Sequence, residues 1–269
     1  MKYLKRNTTM MTKILRFGLL AMTGTILTIV MSCSSNPEQN DDAKETDQAG
    51  DTEEWIDLFD GKSFEGWRTL GSDSVFTAFW KIEDGVLKKI DRGSVPARAD
   101  GQPQQGGDLM TIDAYDNYEL SWEWALFADG NSGLKYNVSE EMSMKSGSEH
   151  SALGFEYQML DDSSDEYGDL KPSQFSGSLY DLLPAENVQL KPFGEFNQSR
   201  LRVDGNQVTH WLNDQKVLSY SFDSPELKSA YENSKFAEIP GFIDKRKGHI
   251  VLQDHITEAW FRNIKLKEL

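Results

Sequence analysis

The chain has 269 residues, with 28 Lys and Arg against 44 Asp and Glu, a net charge of −16. That excess of negative charge repels a polyanion and excludes nucleic acid as a partner. With 38% apolar and 11% aromatic residues the chain can bury a sizeable core, and its single cysteine excludes an intrachain disulfide and a cysteine-based zinc site.

In chain order, the first element is a leader. Lys2, Lys5, Arg6, Lys13 and Arg16 precede an apolar run from Phe17 to Met31, too short for a secure membrane span. The run ends in Val30-Met31-Ser32-Cys33, which resembles a bacterial lipobox with Cys33 as the lipid-attachment residue. The expectation is a signal peptide over 1–32 and a cell-envelope protein touching a membrane only through its lipid, on the periplasmic side or the outer surface. Ser34 to Glu54 has eight acids, one lysine and no aromatic residue, and reads as an extended, self-repelling tether over 33–54.

From residue 55 to 269 the pattern is period-2 alternation broken by turn residues. It predicts strands at Trp55–Leu58, Trp80–Ile82, Val86–Lys89, Asp108–Thr111, Tyr118–Leu126, Ser132–Asn137 and Ala152–Met159. Further strands are predicted at Gln198–Val203, Gln207–Leu212, Gln215–Tyr220, His249–Gln253 and Ala259–Leu266, with one short helix at Pro225–Phe236. Asp84-Gly85, Asp204-Gly205-Asn206 and Asn213-Asp214 fall between them as hairpin turns. So many antiparallel strands in one stretch predict an all-β jelly-roll sandwich. No phosphate-cradling glycine loop is present, since Gly106-Gly107 precedes a strand.

Several segments could carry chemistry. In "GFEYQMLDD", Glu156 and Gln158 share one strand face and Phe155, Tyr157 and Met159 the other, so the polar pair faces either a ligand or solvent. In "VLQDHIT", Gln253 and His255 fall on one face of the predicted strand, and His255 is a natural proton carrier. His210 reads as structural, and His150 and His249 as loop and strand-edge residues. "GNSGLKY" places Asn131 and Ser132 in a turn and aims Lys135 outward. Tyr180 in "SGSLYDLLP", with Trp122 and Trp124, offers aromatic faces for a sugar, although at least two of these three are expected in the core. Metal spacing is poor: the acidic run Asp161 to Asp169 lacks the calcium-loop pattern, and a divalent ion held there or by Glu156 with His255 has no motif behind it.

Taken in order, "IDLFDGKSFEGW", "GGDLMT", "GNSGLKY", "GFEYQMLDD", "SGSLYDLLP", "KPFGEFN", "VTHWLNDQKV" and "IVLQDH…FRNIKL" resemble the 3-keto-disaccharide hydrolase domain across Trp55 to Leu269. The resemblance implies a concanavalin A-like jelly roll acting on glycosides oxidised at C3. By position it implies polar site residues at Glu156, Gln158, Asp161, Tyr180, Asp254 and His255. The sequence departs from the family where Phe196 replaces a usual tryptophan, where the loop after "LDD" lacks a histidine, and where "QDHIT" replaces "QDHG".

A looser likeness to β-glucanases of the same fold points away from their chemistry. Their strand reads E-x-D-x-E, whereas this one has Glu156, Gln158 and Leu160, and a retaining glycosidase needs two carboxylates about 5 Å apart. A 3-keto sugar needs less: one base for the acidified C2 proton, an electrophile for the enolate oxygen and a proton for the leaving oxygen. The expectation is Glu156 or His255 as base, with Gln158, Lys135 or a divalent metal polarising the ketone. Tyr180 would stack on or donate to the sugar, and Asp161 and Asp254 complete the binding set. The competing expectation is a non-catalytic, lectin-like carbohydrate-binding lipoprotein.

Overall fold

A computed structural model describes residues 54–145 and 150–269. The leader, Cys33 and the tether before Glu54 lie outside the described residues.

In chain order the strands are β1 (Ile56–Asp57), β2 (Trp67–Thr69), β3 (Trp80–Glu83), β4 (Val86–Lys89), β5 (Leu109–Thr111), β6 (Tyr118–Leu126) and β7 (Asn131–Val138). They continue as β8 (Phe155–Leu160), β9 (Asn197–Asp204), β10 (Gln207–Leu212), β11 (Gln215–Ser221), β12 (His249–Leu252) and β13 (Ala259–Glu268). Two short helices, α1 (Glu140–Lys145) and α2 (Pro225–Glu232), interrupt them. Every pairing between these strands is antiparallel. One sheet runs β11-β10-β9-β6-β13-β4-β3 with β1 on β13, and the other runs β2-β5-β12-β7-β8. This is the expected all-β, concanavalin A-like jelly-roll sandwich.

The alternation explains the stacking. Tyr118, Leu120, Trp122 and Trp124 of β6 and Leu134, Tyr136, Phe155, Tyr157 and Met159 of the second sheet share one buried core. Each such side chain contributes about 1.5–3 kcal/mol by leaving water. Several polar groups inside this layer are paired across it. Tyr136 donates its hydroxyl to His210 Nε2 or Tyr220, at 2.9 and 2.7 Å, while His210 Nδ1 lies 2.9 Å from Gly177 O. Burial pushes the His210 pKa down to about 4, so it stays neutral and structural.

Hairpin chemistry follows the sequence. Asp84-Gly85 and Asn213-Asp214 have positive φ at both positions, the geometry of a two-residue turn that matches strand twist. Three differences have local causes. Asn131 and Ser132 are not a turn but the start of β7, because Asn131 pairs with Leu160 and Ser132 with Met159 on β8. The strand β2 and helix α1 are too short to show a periodic pattern. The strand β12 stops at Leu252, so His255 lies in the following loop rather than on a strand face.

Candidate active site

The second sheet turns Leu134, Tyr136, Phe155, Tyr157, Ile250 and Leu252 into the core, which forces their neighbours onto the outer face. The register then builds two rows across that face. In one, Met110 pairs with Val251, Val251 with Lys135, and Lys135 with Glu156. In the other, Gln253 donates its backbone N–H to Gly133 O at 2.9 Å, and Gly133 pairs with Gln158. None of these polar residues faces open solvent: Lys135 is 4%, Glu156 7% and Gln158 2% exposed. The alternative that Glu156 and Gln158 are a solvated strand face is thereby excluded.

Glu156 lies across the gap left by Gly133. A Cβ on Gly133 would sit 2.3 Å from Glu156 Oε1, so the glycine of "GNSGLKY" clears the space for the carboxyl group. The Gln158 amide is satisfied with its nitrogen toward Ser132 O and Glu156 Oε1, at 3.2 Å each. Burial raises the Glu156 pKa above the ordinary carboxylate value, against the opposing pull of Lys135, Lys235 and the Gln253 amide. A Gly133→Ala variant is therefore expected to displace this carboxyl and lower turnover about 100-fold, as an ångström-scale misplacement does. Its circular dichroism should be unchanged. Wild-type turnover in that variant would show that the carboxyl position is irrelevant.

Lys135 takes the outer face of the sheet, as its strand predicts, but is buried there instead of reaching solvent. Its ammonium donates to Asp108 Oδ2 at 2.9 Å and Ala152 O at 3.0 Å. Burial works against its charge, but Asp108 and then Glu156 hold its pKa above the ordinary lysine value. Asp108 is the hub: Oδ2 also accepts Ala152 N–H at 2.8 Å, and Oδ1 accepts Asp254 N–H at 2.8 Å. Asp254 is in turn ion-paired with buried Lys89 at 3.1 Å and lies 3.7 Å from Arg92. Gly106 leaves room for it, since a Cβ there would come 2.3 Å from Asp254 Oδ2.

His255 sits beside this network, part-buried, and its Nδ1 is buried without a hydrogen-bond partner. Burial, then Lys89 and Arg92, hold its pKa below the ordinary histidine value, so the ring is neutral near pH 7. A cleft of about 330 Å³, lined by Arg92, Gly106, Asp108, His150 and Asp254, opens here, and an adjoining cleft of about 450 Å³ shares Arg92 and Gly106 and adds Phe79. A larger cleft of about 610 Å³ lies elsewhere, against Trp124, Asp161 and Phe193, and none of the Glu156 cluster lines it.

Tyr180 joins the cluster through the backbone. Its N–H donates to Glu156 O at 2.9 Å, along the free edge of β8. Burial, then the Glu156 charge, raises its pKa. Lys235 Nζ lies 4.3 Å from the Tyr180 ring centroid, in the segment just after α2. Lys235 falls near the end of the helix expected at Pro225–Phe236, which the structure ends at Glu232, and nothing in that pattern marks it as a site residue. Asp108 is legible only as the acid in "GGDLMT".

Not every expected site residue is gathered here. Asp161 follows β8 beyond Leu160, five positions from Glu156, and its carboxylate accepts Asp129 N–H at 3.0 Å and the Ser163 N–H and hydroxyl at 3.1 and 2.7 Å. It closes the loop after the strand rather than facing Glu156. Trp122 and Trp124 are in the core, at 0% and 1% exposure, leaving Tyr180 as the aromatic face at the site. Among the described residues no group of three or more His, Cys, Asp or Glu is placed to hold a metal ion. Among the described residues Glu156 and His255 gather no third His, Cys, Asp or Glu ligand.

Comparison with known proteins adds independent observations. A family model described as a 3-keto-alpha-glucoside-1,2-lyase-like domain matches residues 54–267. A Bacteroides thetaiotaomicron protein named 3-keto-disaccharide hydrolase is 34% identical over 239 residues, covering 81% of this chain and 80% of that one. A solved structure of a candidate glycosyl hydrolase from Parabacteroides distasonis superposes with a TM-score of 0.65 at 29% identity, covering 80% of this chain and 94% of the other. A second from the same organism, at 24% identity and a TM-score of 0.59, shares the fold and covers 80% and 100% respectively.

Proposed function

The chain belongs to the 3-keto-alpha-glucoside-1,2-lyase-like family, and from that premise we propose that it cleaves glycosides oxidised at C3, by removing the C2 proton and eliminating the C1 oxygen. The observation that carries the reading is Glu156: a buried carboxyl with a raised pKa, held between two amides beside a lysine ion pair that is already satisfied. The other nearby carboxylates are engaged. Asp108 accepts three N–H donors and Asp254 is paired with Lys89. One free carboxyl suits proton abstraction beside a ketone better than the paired carboxylates of double displacement.

In the proposed path, Glu156 takes the C2 proton. The C2–H electron pair forms the C2=C3 bond, and the C3 carbonyl pair moves onto oxygen. That pair returns to re-form C3=O, the C2=C3 pair shifts to C1=C2, and the C1–O bond breaks. The leaving oxygen takes a proton from the now protonated Glu156. Water can add to C1 of the resulting enone to give net hydrolysis. His255, kept neutral by burial and with its Nδ1 free of a hydrogen-bond partner, is available to accept the proton of that water. Lys135 and Asp108 hold the sheet face in place, and the Arg92 cleft offers room for the leaving group.

The test is release of a chromogenic alcohol from a 3-keto-glucoside, beside the unoxidised glucoside, using the full chain. Release from the keto compound alone is the expected result. Binding of oligosaccharides with release from neither compound would overturn the reading in favour of a lectin-like module.

A further inference from the structure

The path above needs a positive group for the C3 oxygen, and the cation paired with Glu156 across the strands cannot be it. Lys135 is 4% exposed, and two of its three N–H donors go to Asp108 and Ala152 O. Lys89 is fully buried, donating to Ile90 O at 2.7 Å and ion-paired with Asp254. Arg92 stands on the Asp254 side of the network. Lys235 is different. It is exposed, it contacts the faces of Tyr180 and Phe236 at 4.3 and 5.0 Å, and no carboxylate among the described residues lies within ion-pair distance of its ammonium.

We infer that Lys235 is the electrophile of the reaction, its ammonium donating a hydrogen bond to the C3 oxygen of the keto sugar while Glu156 removes the C2 proton. The inference rests on the function proposed above. Three features of the fold place the group. Asp181, 6% exposed, accepts the Lys235 backbone N–H on Oδ2 at 2.9 Å, and its Oδ1 accepts from Lys171 at 3.1 Å and Gln174 at 3.2 Å. That carboxylate ties the loop after α2 to the residue next to Tyr180. Tyr180 is itself bonded to the Glu156 carbonyl. The Tyr180 ring under the ammonium holds it by cation–π attraction and fixes its height over the site.

The electrostatics agree with this placement. Desolvation of the ammonium end, with Lys135 nearby, lowers the Lys235 pKa, while the Glu156 charge opposes the shift. A more acidic ammonium is a stronger donor to an oxyanion. The step balances without a co-reactant: the C2–H pair becomes the C2=C3 bond, the carbonyl pair rests on the C3 oxygen under the Lys235 hydrogen bond, and the proton sits on Glu156. Lys235 keeps its own proton throughout and forms no bond to carbon.

The test is Lys235→Met and Lys235→Arg in the full chain, assayed on a 3-keto-glucoside deuterated at C2. Lys235→Met is expected to lower kcat by about 100-fold, the scale for losing one oxyanion donor, with KM changed far less. Deuterium washout and leaving-group release should fall together, and Lys235→Arg should recover part of both. Three results would overturn the inference: wild-type kcat in Lys235→Met, a change confined to KM, or a borohydride-trapped adduct on Lys235 in the wild-type chain. Inactivity of the wild-type chain on the keto sugar would instead overturn the proposed function, so the two failures are distinguishable.

Discussion

Replacing Glu156 by Gln is expected to reduce turnover of a 3-keto-glucoside by about 10³-fold, the scale of one well-placed general base. Gln has nearly the same shape and can still bond to the neighbouring amides, so the fold should be intact. What is lost is the carboxylate, and with it the acidic limb of the pH profile. Burial raises the Glu156 pKa, so in the wild-type chain kcat/KM should climb with pH through a midpoint above the usual value of 4.5. Below that midpoint the group carries a proton and cannot accept the one from C2. In Glu156→Gln the residual rate should lack that limb. Full activity in the variant, or an unchanged limb, would remove Glu156 from the role of base.

The largest effect on stability is expected at Asp108. Its carboxylate binds Lys135, Ala152 N–H and Asp254 N–H, and is 2% exposed. Asp108→Asn keeps the size but removes the charge opposite a buried ammonium. It also puts a donor where three donors converge. Breaking a buried ion pair by removing one partner costs about 3–5 kcal/mol, because the remaining charge stays desolvated. The unfolding free energy of Asp108→Asn in urea should fall by that amount. The double variant Asp108→Asn with Lys135→Met should recover part of it, since the buried charge is then gone. A single variant within about 1 kcal/mol of wild type would mean that the network carries no such coupling.

These two residues differ in how far local pattern reveals them. Glu156 stands out because its strand alternates bulky apolar residues with a carboxyl and an amide, and a period of two places both on one face regardless of where the strand lies. The same rule locates most of the strands and the two-residue turns, whose residues tolerate positive φ. Gly133, Gly106 and Asp108 stand in recognisable motifs, but the motifs do not carry the reasons for them. A glycine under a carboxyl group and an acid accepting three N–H donors are relations between segments far apart in the chain. Lys235 and Asp181 illustrate the limit most clearly: 54 positions separate them, and the helical pattern that runs past Lys235 carries nothing that pairs the two.

Alternation, turn geometry and composition are enough for the all-β class, the polar face that carries Glu156 and Gln158, and the excess of negative charge. Packing between distant segments is what buries Lys135 on Asp108 instead of letting it reach solvent, takes His255 off the sheet, turns Asp161 to closing a loop, and brings Lys235 over Tyr180. The physical reason is that a side chain's direction follows from its own strand, whereas its burial, partners and charge state follow from whichever remote segments pack against it.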